Sequence, residues 1–130
     1  MKFVNPFCPT ESELREWARD PEAEYPEEVS QDWDLMITDF ETAPMLLKLA
    51  NEDSPNSQFF LACLYLLAGD CVRNGVNKVA VEKLKDILNL ISTDAKPDVH
   101  LWKKRTLILL EKPKTFNYDD WCYGYLAYKE

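Results

Sequence analysis

One ten-residue segment constrains the fold of this chain more than any other. Residues 59–68 read FFLACLYLLA and are apolar on every face of a helix. A helix without a polar side is stable in water only when other elements enclose it. Ser54 and Pro55 precede the segment and are typical of a helix start, because the hydroxyl caps free amides and proline already has a helical φ. We therefore predict a central helix at about 55–73.

The rest of the sequence predicts shorter helices around this one. Thr10 and Glu13 form a capping box that begins a helix at Glu11–Arg19. Apolar spacing and cap residues indicate further helices at about 31–40, 43–53, 78–91, 97–110 and 118–128. The predicted fold class is all-α, a single irregular bundle of about six or seven helices forming one domain, 1–130. A strand is the alternative for 106–110, but nothing else reads as a strand to pair with it.

The same spacing predicts which side chains face the core. The inward positions of the first helix are Leu14, Trp17 and Ala18, and those of the helix at 97–110 are Val99, Trp102, Thr106 and Leu109. Asp70, at the end of the apolar segment, is expected to pair with Arg73 one turn later. Asn117 is the expected cap of the last helix.

The composition excludes several kinds of site. The three glycines lie too far apart for a GxGxxG turn or a phosphate-binding loop. A single histidine, His100, and four cysteines without a CxxC pair remove the usual zinc arrangements. We expect no metal, no cofactor and no enzymatic activity, because adjacent exposed acids do not provide a carboxyl group of raised pKa. A regulatory enzyme would require a pocket that gathers distant carboxyl groups, which spacing cannot reveal.

Two features bear on location. The apolar run at 59–69 is about half the length that spans a bilayer. The N-terminal sequence MKFVNPFCPTE is interrupted by Pro6 and Pro9 before it can form the apolar region of a signal peptide. We therefore expect a cytoplasmic protein with reduced thiols.

The net charge of −8 is unevenly distributed. Residues 1–54 hold 14 acidic and 4 basic residues, a net −10, and the remainder is net +2. Most of the acid lies between Glu11 and Glu41, together with Trp17, Tyr25 and Trp33. This charge argues against binding to nucleic acid or to an anionic membrane. Acids interleaved with aromatic residues favour a docking surface for a basic protein, and a solvated face that keeps the protein soluble is the alternative.

A smaller basic group lies nearer the C-terminus. Its members are Lys103, Lys104, Arg105, Lys112 and Lys114. The acidic field of the whole protein opposes contact with nucleic acid. Pairing with the acidic N-terminal portion, within one molecule or between molecules, is the simpler interpretation.

Six aromatic residues crowd the C-terminus. They are Phe116, Tyr118, Trp121, Tyr123, Tyr125 and Tyr128. On a helix, four of them share one face and would seal the core. The alternative is a partner-binding or dimerising patch, since tyrosine and tryptophan give large contact areas at low entropic cost. The exposure of Trp121 distinguishes the two.

A family resemblance rests on two segments, EYPEEVSQDWDLMITDFE at 24–41 and SPNSQFFLACLYLLAGD at 54–70. In size, acidity, helical content and lack of catalytic motifs, the chain resembles bacterial immunity proteins, which neutralise nuclease toxins of the colicin and contact-dependent inhibition type. The resemblance implies a stoichiometric inhibitor whose acidic residues cover a toxin's nucleic-acid-binding cleft or an adjacent site. The candidate contact residues are Glu27, Glu28, Asp32, Asp34, Asp39 and Glu41, with Trp33 as the candidate anchor. A helical adaptor that docks through the C-terminal aromatics is the alternative function, and the oligomeric state stays open.

Overall fold

The protein is built from α-helices joined by turns. The computed structural model describes residues 2–29 and 32–122. The helices are α1 (Glu11–Arg19), α2 (Trp33–Ile37), α3 (Ala43–Asn51), α4 (Ser57–Asp70), α5 (Lys78–Leu88), α6 (Pro97–Glu111) and α7 (Tyr118–Cys122), with a short 3-10 helix at Pro113–Thr115. These described ranges contain no strand, so the all-α prediction is confirmed, and 106–110 belong to α6. None of the described helices is both long enough and apolar enough to cross a membrane.

Helix α4 is the centre of the fold, as the sequence predicts. Ten of its fourteen residues are buried, and it packs against α2, α3, α6 and α7. Full burial of a large apolar side chain stabilises a fold by about 1.5–3 kcal/mol. Helix α4 therefore contributes more buried apolar residues than any other described helix.

The predicted bounds of α4 were too wide. Ser54 and Pro55 lie in a turn before the helix, in which the backbone N–H of Ser57 donates to the carbonyl of Ser54 at 3.3 Å. The helix ends at Asp70 rather than at Arg73. The predicted pairing of Asp70 with Arg73 is confirmed, with 4.0 Å between carboxylate and guanidinium.

Local signals for α1 and α6 are confirmed in detail. Thr10 Oγ1 accepts from the backbone N–H of Glu13 at 3.1 Å, and a Glu13 carboxylate oxygen accepts from the N–H of Thr10 at 3.0 Å. This reciprocal pair satisfies amides that the first helical turn leaves free. All of the predicted inward residues of both helices are buried: Leu14, Trp17, Ala18, Val99, Trp102, Thr106 and Leu109.

Helix α2 is shorter than predicted because side chains after it form a turn. The hydroxyl of Thr42 donates to the carbonyl of Ile37 at 2.7 Å. The N–H of Thr42 donates to the carboxylate of Asp39 at 2.8 Å, and the N–H of Asp39 donates to Thr42 Oγ1 at 3.1 Å. Such reciprocal bonds favour a turn over continued helix. The chain therefore breaks between α2 and α3.

Helix α7 closes against α4. The side chain of Trp121 is buried, and its indole N–H donates to the carbonyl of Tyr65 at 2.6 Å. A Cβ atom at Gly69 would lie 3.0 Å from the Trp121 ring, so the glycine permits this contact. The Asn117 cap is confirmed, since its side chain accepts from the N–H of Asp120 at 3.1 Å. Burial of Trp121 favours the packing role for the C-terminal aromatics. Tyr123, Tyr125, Tyr128 and the rest of the predicted helix beyond 122 lie outside the described residues.

Candidate functional site

An aromatic cluster links the N-terminal portion to the central helix. The rings of Trp17, Trp33 and Phe59 lie 5.0–5.1 Å apart, centroid to centroid. Tyr25, from the loop after α1, lies on this cluster, 5.5 Å from Trp33 and 5.7 Å from Phe59. Both tryptophans are buried, whereas Tyr25 is 41% exposed. Tyr25 therefore presents the surface of the cluster to solvent.

Backbone acceptors fix the cluster to its surroundings. The indole N–H of Trp17 donates to the carbonyl of Glu24 at 2.9 Å, and that of Trp33 donates to the carbonyl of Pro6 at 2.8 Å. Most buried indole donors in proteins have such a partner. The loop that carries Tyr25 and the segment before α1 are thereby attached to α1 and α2.

An acidic groove lies beside this cluster, with a cavity volume of about 470 Å³. Its carboxylates come from Asp20, Glu22, Glu24, Glu27 and Glu28, all of them exposed. Its aromatic floor comes from Phe3, Trp17 and Tyr25, and among the described residues Lys2 is the only basic one that lines it. The groove therefore offers several negative charges around an apolar floor.

Other acids of the N-terminal portion are neutralised within the molecule. Arg15 binds Glu52 at 2.6 Å and Glu11 at 3.0 Å, and Lys48 binds Glu11 at 3.0 Å. Hydrogen bonds from these basic groups lower the pKa of both glutamates. Within 2–29 and 32–122, in contrast, the five groove carboxylates make no ion pair.

Of the predicted contact residues, two line the groove and two lie at the start of α2. Glu27 and Glu28 line the groove. Asp32 is exposed immediately before α2, and Asp34 is half-buried in its first turn. Burial raises the pKa of Asp34, and the charge of Asp32 adds to that shift. The charge of Asp34 also acts on the hydroxyl of Tyr25, which places α2 close to the exposed ring.

Two predicted residues lie elsewhere. Asp39 and Glu41 are exposed but do not line the groove. Asp39 instead accepts the hydrogen bond from Thr42 that shapes the turn before α3. Both acids lie between α2 and α3, and their side chains are not part of the groove.

The prediction of Trp33 as an anchor is wrong, because its side chain has no exposed surface. Trp33 and Ile37 are separated by one helical turn, so both face inward from α2. Sequence reasoning instead missed Tyr25 as the exposed ring and Asp20, Glu22 and Glu24 as groove residues. A usable signal was present: Tyr25 stands in a loop of Pro and Glu, without a helical stripe to bury it.

The described residues contain no group of three or more His, Cys, Asp or Glu placed to hold a metal ion. Burial raises the pKa of the Cys63 thiol to about 12, so that this sulfur stays protonated at neutral pH.

Comparison of the chain with protein-family models, curated proteins and solved structures finds no match. The described side chains of the groove offer negative charge and aromatic surface.

Proposed function

We propose that this protein binds a basic protein partner and covers the partner's positive surface, as bacterial immunity proteins do for nuclease toxins. The observation that carries the proposal is the acidic groove, in which five carboxylates surround an aromatic floor. A nuclease contacts phosphates through lysine and arginine side chains, so its cleft has the opposite charge. The groove and such a cleft are electrostatically complementary.

The uncompensated charge favours fast encounter with this partner. Glu11 and Glu52 are occupied by Arg15 and Lys48, but the groove carboxylates have no basic partner among the described residues. Charged surfaces of this kind raise association rates by roughly 10- to 1000-fold, and salt reduces the effect. Glu27 and Glu28 are the residues to which we assign this steering.

We assign to Tyr25 the apolar contact with the partner, which the carboxylates alone do not provide. Its ring is held by Trp17, Trp33 and Phe59, so little side-chain entropy is lost when a partner covers it. Exposed tyrosine at the centre of an interface is a frequent binding hot spot. We therefore assign the anchor role to Tyr25, with Asp32 and Asp34 extending the acidic surface beside it. A toxin that attacks nucleic acid is met in the cytoplasm, which is the location we propose.

The proposal is tested by recovering the partner from native cells with tagged protein. We expect a strongly basic protein, recovered by the wild type and lost with a Glu27→Lys/Glu28→Lys variant. A Glu82→Lys/Asp86→Lys variant is the matched control, because these acids on α5 are exposed and the change in net charge is identical. A neutral or acidic partner, or equal recovery by both variants, contradicts the proposal.

A further inference from the structure

A second groove lies between α6 and the residues that lead into α7, with a volume of about 480 Å³. Its apolar lining is formed by Leu101, Ile108, Leu109, Phe116 and Trp121. Ile108 is 49% exposed, and Lys104 and Arg105 also line the groove. Asp120 lines the groove as well, so its apolar interior is bordered by two basic residues and one acidic residue.

One lysine of the basic group, Lys104, lines this groove, and three more lysines of the group lie on α6 or soon after it. Within 2–29 and 32–122, Lys103, Lys104, Lys112 and Lys114 make no ion pair. The sequence allows pairing of the basic and acidic portions within one molecule or between molecules. Among the described residues, no acid of the same molecule pairs with these four lysines, so their charge is available to the acids of a second molecule.

Helix α2 has the complementary character. Trp33 and Ile37 take its inner face, which leaves Leu35 and Met36 exposed by 42% and 45%. Three carboxylates flank this apolar pair: Asp32, Asp34 and Asp39. Helix α2 thus exposes two large apolar side chains with carboxylates on either side of them along the chain.

We propose that α2 of one copy of this chain docks into the α6–α7 groove of a second copy. Leu35 and Met36 then meet the apolar wall at Ile108 and Phe116, and the flanking carboxylates face the lysines of α6. Apolar surface lies against apolar surface, and negative charge lies against positive charge. The inference does not depend on the proposed toxin partner, because its apolar contact residues lie outside the acidic groove.

The two contacting surfaces differ, so the association is head to tail. Each copy in such a contact keeps one free α2 and one free groove, and assemblies grow until a ring closes. We therefore expect the mean molecular mass to rise above 15.2 kDa as the protein concentration increases. The mass should continue to rise beyond that of a dimer unless two copies form a closed ring. Added salt lowers the mass, because the charged rim is screened.

Sedimentation equilibrium of the full chain tests the inference. We expect Met36→Asp and Ile108→Asp each to weaken association by about tenfold or more, because either change places a carboxylate in the apolar contact. An equimolar mixture of the two variants is expected to give a dimer that grows no further. In that mixture only one intact α2 and one intact groove can meet. Leu90→Asp is the control, since Leu90 is 56% exposed and belongs to neither surface.

Three results overturn the inference. The first is a wild-type mass of 15.2 kDa at every concentration, which would also follow if another segment of the same chain fills the groove. The second is association of either variant at wild-type strength. The third is a mixture that stays monomeric although both variants retain the far-ultraviolet circular dichroism and melting temperature of the wild type.

Discussion

The rings of Tyr25 and Trp33 meet edge-on with 5.5 Å between centroids, yet Tyr25 is 41% exposed and Trp33 is fully buried. Both belong to the same acidic segment, but one holds the fold and the other presents surface. Substitutions at the two positions therefore separate stability from binding.

We expect Trp33→Ala to destabilise the protein by about 3–5 kcal/mol, the range for removing a large aromatic side chain from a core. The change also deprives the carbonyl of Pro6 of its donor. Urea denaturation measures the loss. Met36→Ala is the matched control on the exposed side of α2 and should change stability by no more than about 0.5 kcal/mol. Equal effects of the two changes would contradict the burial of Trp33.

Glu52→Gln tests the ion pair with Arg15. Hydrogen bonds from Arg15 lower the pKa of Glu52 below its ordinary value of 4.5. The carboxylate of Glu52 therefore binds a proton less well in the folded protein than in the unfolded chain. The ion pair stabilises the fold at pH values above 4.5, and this contribution is lost as the pH falls through the lowered pKa. Since both side chains are partly exposed, we expect a loss below about 1 kcal/mol at neutral pH.

The stabilities of the wild type and of Glu52→Gln are compared by their urea midpoints, measured from neutral to strongly acidic pH. The difference between the two midpoints should disappear in acid. Glu82→Gln is the control, because the 3.8 Å ion pair between Glu82 and Lys85 is far more exposed. A difference in urea midpoint between wild type and Glu52→Gln that does not change with pH would contradict the stabilising ion pair.

Gly69→Ala tests the contact between α4 and α7. An alanine inside a helix normally adds up to about 1 kcal/mol over glycine. Here the new Cβ would meet Trp121 at 3.0 Å and Phe116 at 3.2 Å, so we expect a net loss of about 1–2 kcal/mol. In a Trp121→Ala background the same change should cost less, because only the contact with Phe116 remains, and thermal denaturation of the four proteins measures the coupling.

Thiol labelling tests the burial of the cysteines. Cys8 is exposed, whereas Cys63 and Cys71 are buried with pKa values raised by desolvation to about 12 and about 11. In a Cys122→Ser background, we expect one thiol to react rapidly with an aromatic disulfide reagent and the other two only on unfolding. If a thiol still reacts rapidly after Cys8→Ser, a second cysteine is exposed, which would contradict the burial of Cys63 and Cys71.

The sequence predicts those parts of the fold that depend on local spacing and caps. The bounds and inward face of α1 follow from Thr10, Glu13 and one apolar stripe, and the inward face of α6 follows from its own stripe. Helix α2 could not be bounded in this way, because Asp39 and Thr42 end it through side-chain bonds.

The candidate site depends on contacts between distant parts of the chain. The neutralising pair of Arg15 and Glu52 joins residues 37 positions apart, and Trp33 is fixed by Pro6, 27 positions earlier. The distribution of charge along the sequence therefore identified the acidic segment but could not separate its paired acids from its unpaired ones. It also could not show that Tyr25, rather than Trp33, reaches solvent.

The association rate with the recovered basic partner, measured by stopped flow at several salt concentrations, tests the central claim most directly. We predict that Glu27→Lys/Glu28→Lys slows association by about tenfold or more at low salt and weakens its salt dependence. The Glu82→Lys/Asp86→Lys variant should associate at close to the wild-type rate. Equal slowing by both variants, or no slowing by the first, would contradict the acidic groove as the binding surface.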